Sequence, residues 1–305
     1  MASPTIQSLR SVALNVPDLQ RAETFYTQVW HLTVADRTDD AIYLRGTGPD
    51  HHILALHQGG DKAEIRQVTL RAHSDAALQA IQDAAVRAGG TIAAPLHAIT
   101  EPGGGSGLTV RDPDGRLIQV VANDARHADT SEAKDRPIRL AHAVFNSHDV
   151  AASQAFFEQA FGFRLSDRTK IMAFMNCNRD HHSIALGDAD NDALNHIAFV
   201  MPDLESVMRG GGRMKDAGHV IEWGPGRHGP GNNAFSYFVG PFGEVIEYTA
   251  EVQQIDDDYK VGGPGDWSWP AGRIDHWGIS APPSANLKAA QRSLFFVTSP
   301  APTSA

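Results

Sequence analysis

Apolar and polar positions alternate in short runs along this chain, and polar turns punctuate the runs. SVALN, from Ser11, reads as a short alternating strand. Asp18 then opens a helix in which Leu19, Ala22, Phe25 and Tyr26 recur at helical spacing. Three more strand-like runs follow, separated by Gly, Asp and Asn turns. A second cycle begins at EIRQVTLRAH, from Glu64. Its helix, SDAALQAIQDAAVRAGG, ends on glycines that can adopt the left-handed cap geometry. Its strands close at LTVRDPDGRLIQVVAN, where DPDG is a strong turn signal. The stretch 7–124 therefore reads as two β-α-β-β-β units.

The whole pattern then recurs. LRSVALNVPDLQRAETFYTQVWHLTVADRT, from Leu9, matches LAHAVFNSHDVAASQAFFEQAFGFRLSDRT, from Leu140, in its apolar positions. Asn15 faces Asn146, Asp18 faces Asp149, and both runs close on Asp-Arg-Thr. Downstream, DHHILAL (from Asp50) parallels DHHSIAL (from Asp180), and RDPDGRLIQVV (from Arg111) parallels GPFGEVIEYT (from Gly240). A duplication of this length predicts an α+β protein of two tandem domains, 7–124 and 138–252, each built of two βαβββ modules. The polar segment ARHADTSEAKDRP (125–137) reads as the linker between them. The tail, 253–305, is rich in Pro, Gly and Trp. It is expected to form an ordered wrap as far as WGIS that covers a site entrance, and then to be disordered through SPAPTSA. Within it, Arg273 suits a substrate carboxylate or a surface salt bridge.

Composition narrows the function classes. The chain has 305 residues, 42% hydrophobic and 20% charged, in the range of globular domains. Its net charge of −10, without a long basic run, argues against nucleic acid and anionic membranes as partners. A single cysteine, Cys177, excludes an intrachain disulfide and fits a reducing compartment; it reads as a small buried hydrophobe. The residues MASPTIQSLRSVALN hold no signal-peptide-like apolar stretch, and no run approaches the ~20 apolar residues of a membrane span. A cytoplasmic protein is expected.

Three residues carry candidate chemistry. His142 in LAHAVF, His196 in LNHIAFV and Glu247 in GEVIEYT each sit in a short apolar, strand-like run. Two imidazoles and one carboxylate leave about half of an octahedral iron sphere open. A structural zinc site would be closed by four ligands, although two His and one carboxylate also serve catalytic zinc. The duplication supplies an internal control. Ser11, Gln67 and Gln119 stand where His142, His196 and Glu247 stand, so all three candidate ligands are missing from the same half. A lone histidine is more often a hydrogen-bonded core residue than a ligand; three coordinated differences reverse that weighting. His181 and His182 are adjacent, so in a strand only one can face a metal. The pair His51–His52 echoes them in the half without ligands. His148, at a helix start, is given no chemistry.

Two longer motifs resemble the type I extradiol catechol dioxygenases of the vicinal oxygen chelate superfamily, over roughly residues 7–280. One is HHSIAL followed by NHIAF, with His196 fourteen residues after His182. The other is GPGRHGPGNNAFSYFVGPFGEVIEY, with Tyr237 nine residues after His228 and Glu247 ten residues after Tyr237. The second half looks like the catalytic domain of those enzymes and the first half like their non-catalytic domain. The resemblance implies Fe(II), or occasionally Mn(II), held by His142, His196 and Glu247. It implies that His182, chosen over His181 by its spacing, stabilises bound oxygen and delivers a proton, and that His228 and Tyr237 hydrogen-bond the substrate oxygens. The implied substrates are a small aromatic diol of the catechol type and O2, the outcome is extradiol (meta) ring cleavage, and the assembly is a homo-oligomer. Asn232-Asn233 and the GPF turn replace the more usual SNAF and DPDG, which is expected to alter pocket shape rather than reaction. Two alternatives share the scaffold: a glyoxalase- or epimerase-like metalloenzyme, whose relatives draw four ligands from two units, and a metal-free binding protein. The three ligands with a His/His/Tyr set disfavour the first, and the intact ligands disfavour the second.

Overall fold

The computed structural model describes residues 6–131 and 133–298. The first half runs β1 (Ile6–Val16), α1 (Leu19–Thr24), β2 (Thr33–Arg37), β3 (Ala41–Arg45), β4 (Leu54–Gln58), β5 (Glu64–Ala72), α2 (Asp75–Arg87), β6 (Thr91–Ala98), β7 (Ser106–Arg111) and β8 (Leu117–Ala122). The second half repeats it: β9 (Arg139–Ser147), α3 (Val150–Phe161), β10 (Arg164–Arg168), β11 (Met172–Asn176), β12 (Ile184–Asp188), β13 (Leu194–Val200), α4 (Leu204–Asp216), β14 (Trp223–Arg227), β15 (Ala234–Val239) and β16 (Val245–Ala250). A last helix, α5 (Ala285–Ala290), follows.

The expected α+β repeat is present as two eight-stranded sheets of identical order, β2-β3-β4-β1-β5-β8-β7-β6 and β10-β11-β12-β9-β13-β16-β15-β14. In each, two βαβββ modules join along an antiparallel central pair, β1 with β5 and β9 with β13. The registers also test the internal alignment. Ser11 pairs with Thr69, which lies beside Gln119, just as His142 pairs with Ala198, which lies beside Glu247. Ala13 pairs with Gln67 as Val144 pairs with His196.

Local chemistry sets the helix ends. The side chains of Asp18, Ser74, Asp149 and Asp203 each accept a first-turn backbone N–H, a cap worth about 1 kcal/mol. Gly162 ends α3 in the left-handed conformation (φ 74°), where a side chain would be strained. The run after Asp18 is not one regular helix: α1 gives way to a π-helical turn, Phe25–Val29, closed by Trp30 N–H on Phe25 C=O. The wider turn allows Phe25, Tyr26 and Trp30 all to be buried.

That turn docks one half on the other. The Trp30 indole stacks on Tyr248 at 3.6 Å between ring centroids, Tyr248 Oη donates to Trp30 C=O, and Tyr26 Oη donates to Glu244 at 2.7 Å. Gly210 lets α4 lie close to Tyr248, since a Cβ there would fall 2.7 Å from that ring. The apolar core is continuous across both halves. Both ends of the linker are tied to loops of the first half, by His127 N–H to Pro49 C=O and by Thr47 N–H to Pro137 C=O. No helix among the described residues is long and apolar enough to cross a membrane.

The tail corrects one expectation. Order does not stop at WGIS: Ser284 caps α5, Leu287 and Leu294 are buried, and the segment around Phe296 bonds backbone to backbone with Ile65. The signal was a serine before an apolar i, i+3 pair, Leu287 and Ala290. The SPAPTSA end, expected to be disordered, lies outside the described residues.

Candidate metal centre

Three neighbouring strands of the second sheet supply the candidate ligands: β9 carries His142, β13 His196 and β16 Glu247. All three side chains are buried. His142 Nε2 and His196 Nε2 lie 3.3 Å apart, and Glu247 Oε2 lies 3.1 Å from the first and 3.2 Å from the second. Ligand atoms about 2.1 Å from an ion and at right angles to one another would stand about 3 Å apart, so this triangle has the dimensions of one octahedral face.

The electrostatics agree with a cation. Burial would raise the Glu247 carboxyl, but the facing histidines His142, His196 and His228 outweigh it and hold the group well below its usual range. Burial lowers His196 to about 4 despite the attraction of Glu247. One ionised carboxylate and the neutral imidazole of His196 thus converge with His142 on one point. His196 donates Nδ1–H to Asn195 Oδ1 at 2.8 Å, which leaves its Nε2 lone pair facing the cluster. Asn233 donates to Thr249 Oγ1 at 2.7 Å and reaches Glu247 Oε1 at 3.5 Å. The residues fit a divalent metal with an open face.

The remaining sequence-predicted residues gather around this cluster. The His182 ring stacks on His142 at 4.3 Å. His228, just past β14, places Nε2 3.0 Å from Tyr237 Oη, and Tyr237 Oη lies 3.4 Å from His196 Nε2. Burial, followed by Glu247, pushes the Tyr237 phenol well above its usual value; burial, followed by His142 and His181, pushes His182 well below its own. Tyr237 therefore keeps its proton and His182 is neutral. These groups border a cavity of about 560 Å³. Its other walls are mainly apolar, including Val144, Ile171, Met172, Phe174 and Trp223. The tail adds Trp267, Trp269 and Ile274.

Several expectations change. His181 and His182 do not alternate along a strand; they lie in the bend before β12, with Nδ1 atoms 3.0 Å apart and rings nearly perpendicular. His181 is fully buried. Arg273 is exposed, donates to Trp277 C=O and does not border the cavity. Neither Asn232-Asn233 nor the GPF turn borders the cavity: Asn233 holds the candidate carboxylate, and the turn holds Glu244 against Tyr26. Cys177 is buried with its thiol pushed up to about 12, chiefly by burial, as an inert side chain would be. His148 pairs with Asp192 at the surface. That pair and Asp114 form a second acidic cluster, but Arg116 already bridges its two carboxylates. Sequence reasoning missed Asn195 and Phe174, and gave Asn233 a part in pocket shape rather than in holding the carboxylate. Only Asn195 left a signal, as the polar residue preceding His196 in an apolar strand.

In the first half the equivalent place is closed by other bonds. Thr69 donates to Gln119 at 3.0 Å, and Arg10 reaches both Ser11 Oγ and His52 Nε2.

The family model described as "Glyoxalase/Bleomycin resistance protein/Dioxygenase superfamily" matches residues 8–120 and 139–248. A protein from Cupriavidus necator named metapyrocatechase 2 is 28% identical, over 91% of this chain and 90% of its own. A manganese-dependent 2,3-dihydroxybiphenyl 1,2-dioxygenase from Geobacillus genomosp. 3 is 21% identical, over 75% of this chain and 80% of its own. Among solved structures, the Mn(II)-bound glyoxalase from Novosphingobium aromaticivorans is 33% identical with a TM-score of 0.86, covering 93% of this chain and 94% of that one. Homoprotocatechuate 2,3-dioxygenase from Arthrobacter globiformis matches the fold at 24% identity with a TM-score of 0.84, covering 98% and 96%.

Proposed function

The chain belongs to the glyoxalase/bleomycin resistance protein/dioxygenase superfamily, and from that premise we propose that it is an extradiol ring-cleaving dioxygenase acting on a catechol-type aromatic with O2. The observation that carries this reading is the open triangle of His142, His196 and Glu247 at the floor of an aromatic-lined cavity, beside His182, His228 and Tyr237. Relatives along nearly the whole chain bear the same activity in their names.

Fe(II), held by His142, His196 and Glu247, would supply the electron path between a bound diol and dioxygen. Mn(II) is the metal named in two of the relatives and fits the same ligands. The protein's part is positioning and proton handling. His182, neutral and in the cavity wall, is able to accept a proton from a bound diol and return it during ring opening. Tyr237, protonated and within 3.0 Å of His228, presents a donor that holds a substrate oxygen. The apolar walls grip the ring and its substituent and exclude water. Among the described residues, the only lysine or arginine bordering the cavity is Lys170, an exposed residue, so the favoured substrate carries a neutral, apolar ring substituent.

The glyoxalase reading is the alternative favoured by the 33%-identical relative, and it needs no dioxygen. The test is O2 uptake by the full chain reconstituted anaerobically with Fe(II) or Mn(II), with 3-alkyl and 3-aryl catechols, following the yellow ring-opened product. Stoichiometric uptake is expected. Metal-loaded protein that takes up no O2 with any catechol, but isomerises a hemithioacetal anaerobically, would overturn the proposal.

A further inference from the structure

Behind His182 lies a chain of groups to which the reading above assigns no role. His182 Nδ1 is 3.0 Å from His181 Nδ1, and His181 Nε2 is 2.7 Å from Asp167 Oδ2. His181 and Asp167 are completely buried. Asp167 is itself bound from the tail: Tyr259 Oη donates to Oδ2 at 3.0 Å, and Gly262 N–H donates to Oδ1 at 2.6 Å. The backbone of His181 is held separately, by Ser166 Oγ on its carbonyl and by its N–H on Gln253 C=O.

We propose that Asp167 and His181 are positioning residues that fix the tautomer of His182, so that its unprotonated Nε2 serves the cavity. The direction follows from donor and acceptor chemistry. Asp167 already accepts Tyr259 Oη–H on Oδ2 and Gly262 N–H on Oδ1, so it accepts from His181 too, which then carries its proton on Nε2 and has a lone pair on Nδ1. That lone pair requires a proton on His182 Nδ1. His182 Nε2 is then the acceptor nitrogen, as a group taking a proton from a substrate hydroxyl must be. The inference rests on the dioxygenase reading for its catalytic meaning, but not for the tautomer.

The blank half supplies a comparison. His51 and His52 keep the same contact, Nδ1 to Nδ1 at 3.1 Å. Asp36 occupies the place of Asp167 in the repeated Asp-Arg-Thr, yet it is exposed and accepts the backbone N–H of Arg37. There the orienting group comes from the other side: Arg10, which only donates, sits on His52 Nε2. The half with the metal ligands leaves that nitrogen to the cavity and fixes the tautomer from behind, through the buried acid.

Asp167→Asn tests the relay with little change in shape. Gly262 N–H keeps the amide oxygen on its own side, which turns the amide NH2 toward His181 and reverses every bond along the chain. In metal-free full-length protein labelled with 15N-histidine, the His182 signals, assigned by their loss in His182→Asn, report the tautomer. Wild type is expected to show the Nδ1–H form and Asp167→Asn the Nε2–H form. With metal content unchanged, kcat of the variant should fall about 10- to 100-fold. Tyr259→Phe, which removes one donor but leaves the acid, should retain the wild-type tautomer. An Nε2–H form of His182 in wild type overturns the proposal, whether or not Asp167→Asn folds; so does an unchanged tautomer in a folded Asp167→Asn. If the tautomer switches but wild type oxidises no catechol, the relay stands and the dioxygenase reading falls.

Discussion

Asn195 Oδ1 accepts the Nδ1–H of His196 at 2.8 Å, and the same oxygen accepts the side-chain N–H of Gln291 at 2.9 Å. Asn195 also donates to Asn146 Oδ1 at 2.9 Å. A candidate metal ligand is therefore oriented by its own sequence neighbour, which is fixed in turn by the paired strand β9 and by the residue just after α5. The tail does more than border the cavity: it reaches the ligands through Asn195 and His182 through Asp167.

Asn195→Ala should weaken metal binding by about 10- to 100-fold while leaving the fold intact. Competition with a chromophoric chelator measures this. Wild-type affinity in the variant would show that His196 needs no such partner.

Replacing a candidate ligand should differ in kind from replacing His182. His142→Ala and Glu247→Ala are expected to lose bound metal and activity together. His182→Ala is expected to retain the metal and slow turnover by about 10²- to 10⁴-fold. Elemental analysis after anaerobic reconstitution separates the two cases, and full metal content in Glu247→Ala would count against the assignment.

Substrate charge should matter strongly. The cavity offers aromatic and aliphatic walls, without a buried cation, to a ring substituent. Burying an unpaired carboxylate is costly, so alkyl- or aryl-substituted catechols are expected to exceed carboxylated ones by about tenfold or more in kcat/KM. Equal values for the two series would refute the neutral-substituent reading.

Stability should fall in mild acid, partly through the first half. Burial, then Arg66, lowers His57 to about 4, against roughly 6.5 for an unperturbed histidine. Between those values the unfolded chain binds the extra proton, so stability rises with pH across the window, is complete above pH ~6.5 and is lost toward pH ~4. The contribution is about 3–4 kcal/mol at most. Denaturant titrations at several pH values should show a shallower slope in His57→Phe; an unchanged slope would remove His57 from the account.

Trp30 joins the halves, so Trp30→Ala should cost about 3–5 kcal/mol. It removes a fully buried indole together with its stack on Tyr248. A melting temperature within a degree or two of wild type would show that the halves do not depend on this contact.

The duplication, the order of elements and the three candidate ligands were legible in the sequence because each is written in local periodicity. Alternating apolar residues mark β9, β13 and β16; asparagine, aspartate and glycine mark the turns; and the aligned halves expose Ser11, Gln67 and Gln119 as blanks. What chain order could not show is which polar groups meet once the strands pair. Asp167 and His181 are 14 residues apart, and Asp167 and Tyr259 are 92 apart. His181 was assigned to strand alternation, although a bend turns it onto an acid that nothing local connects to it. The tail was expected to end its order early on its composition and terminal position; α5 has only six residues, too few to hold a helix without tertiary contacts. Periodicity fixes which face of a strand a residue occupies, whereas the partners of a buried polar group depend on long-range packing, which only the folded chain decides.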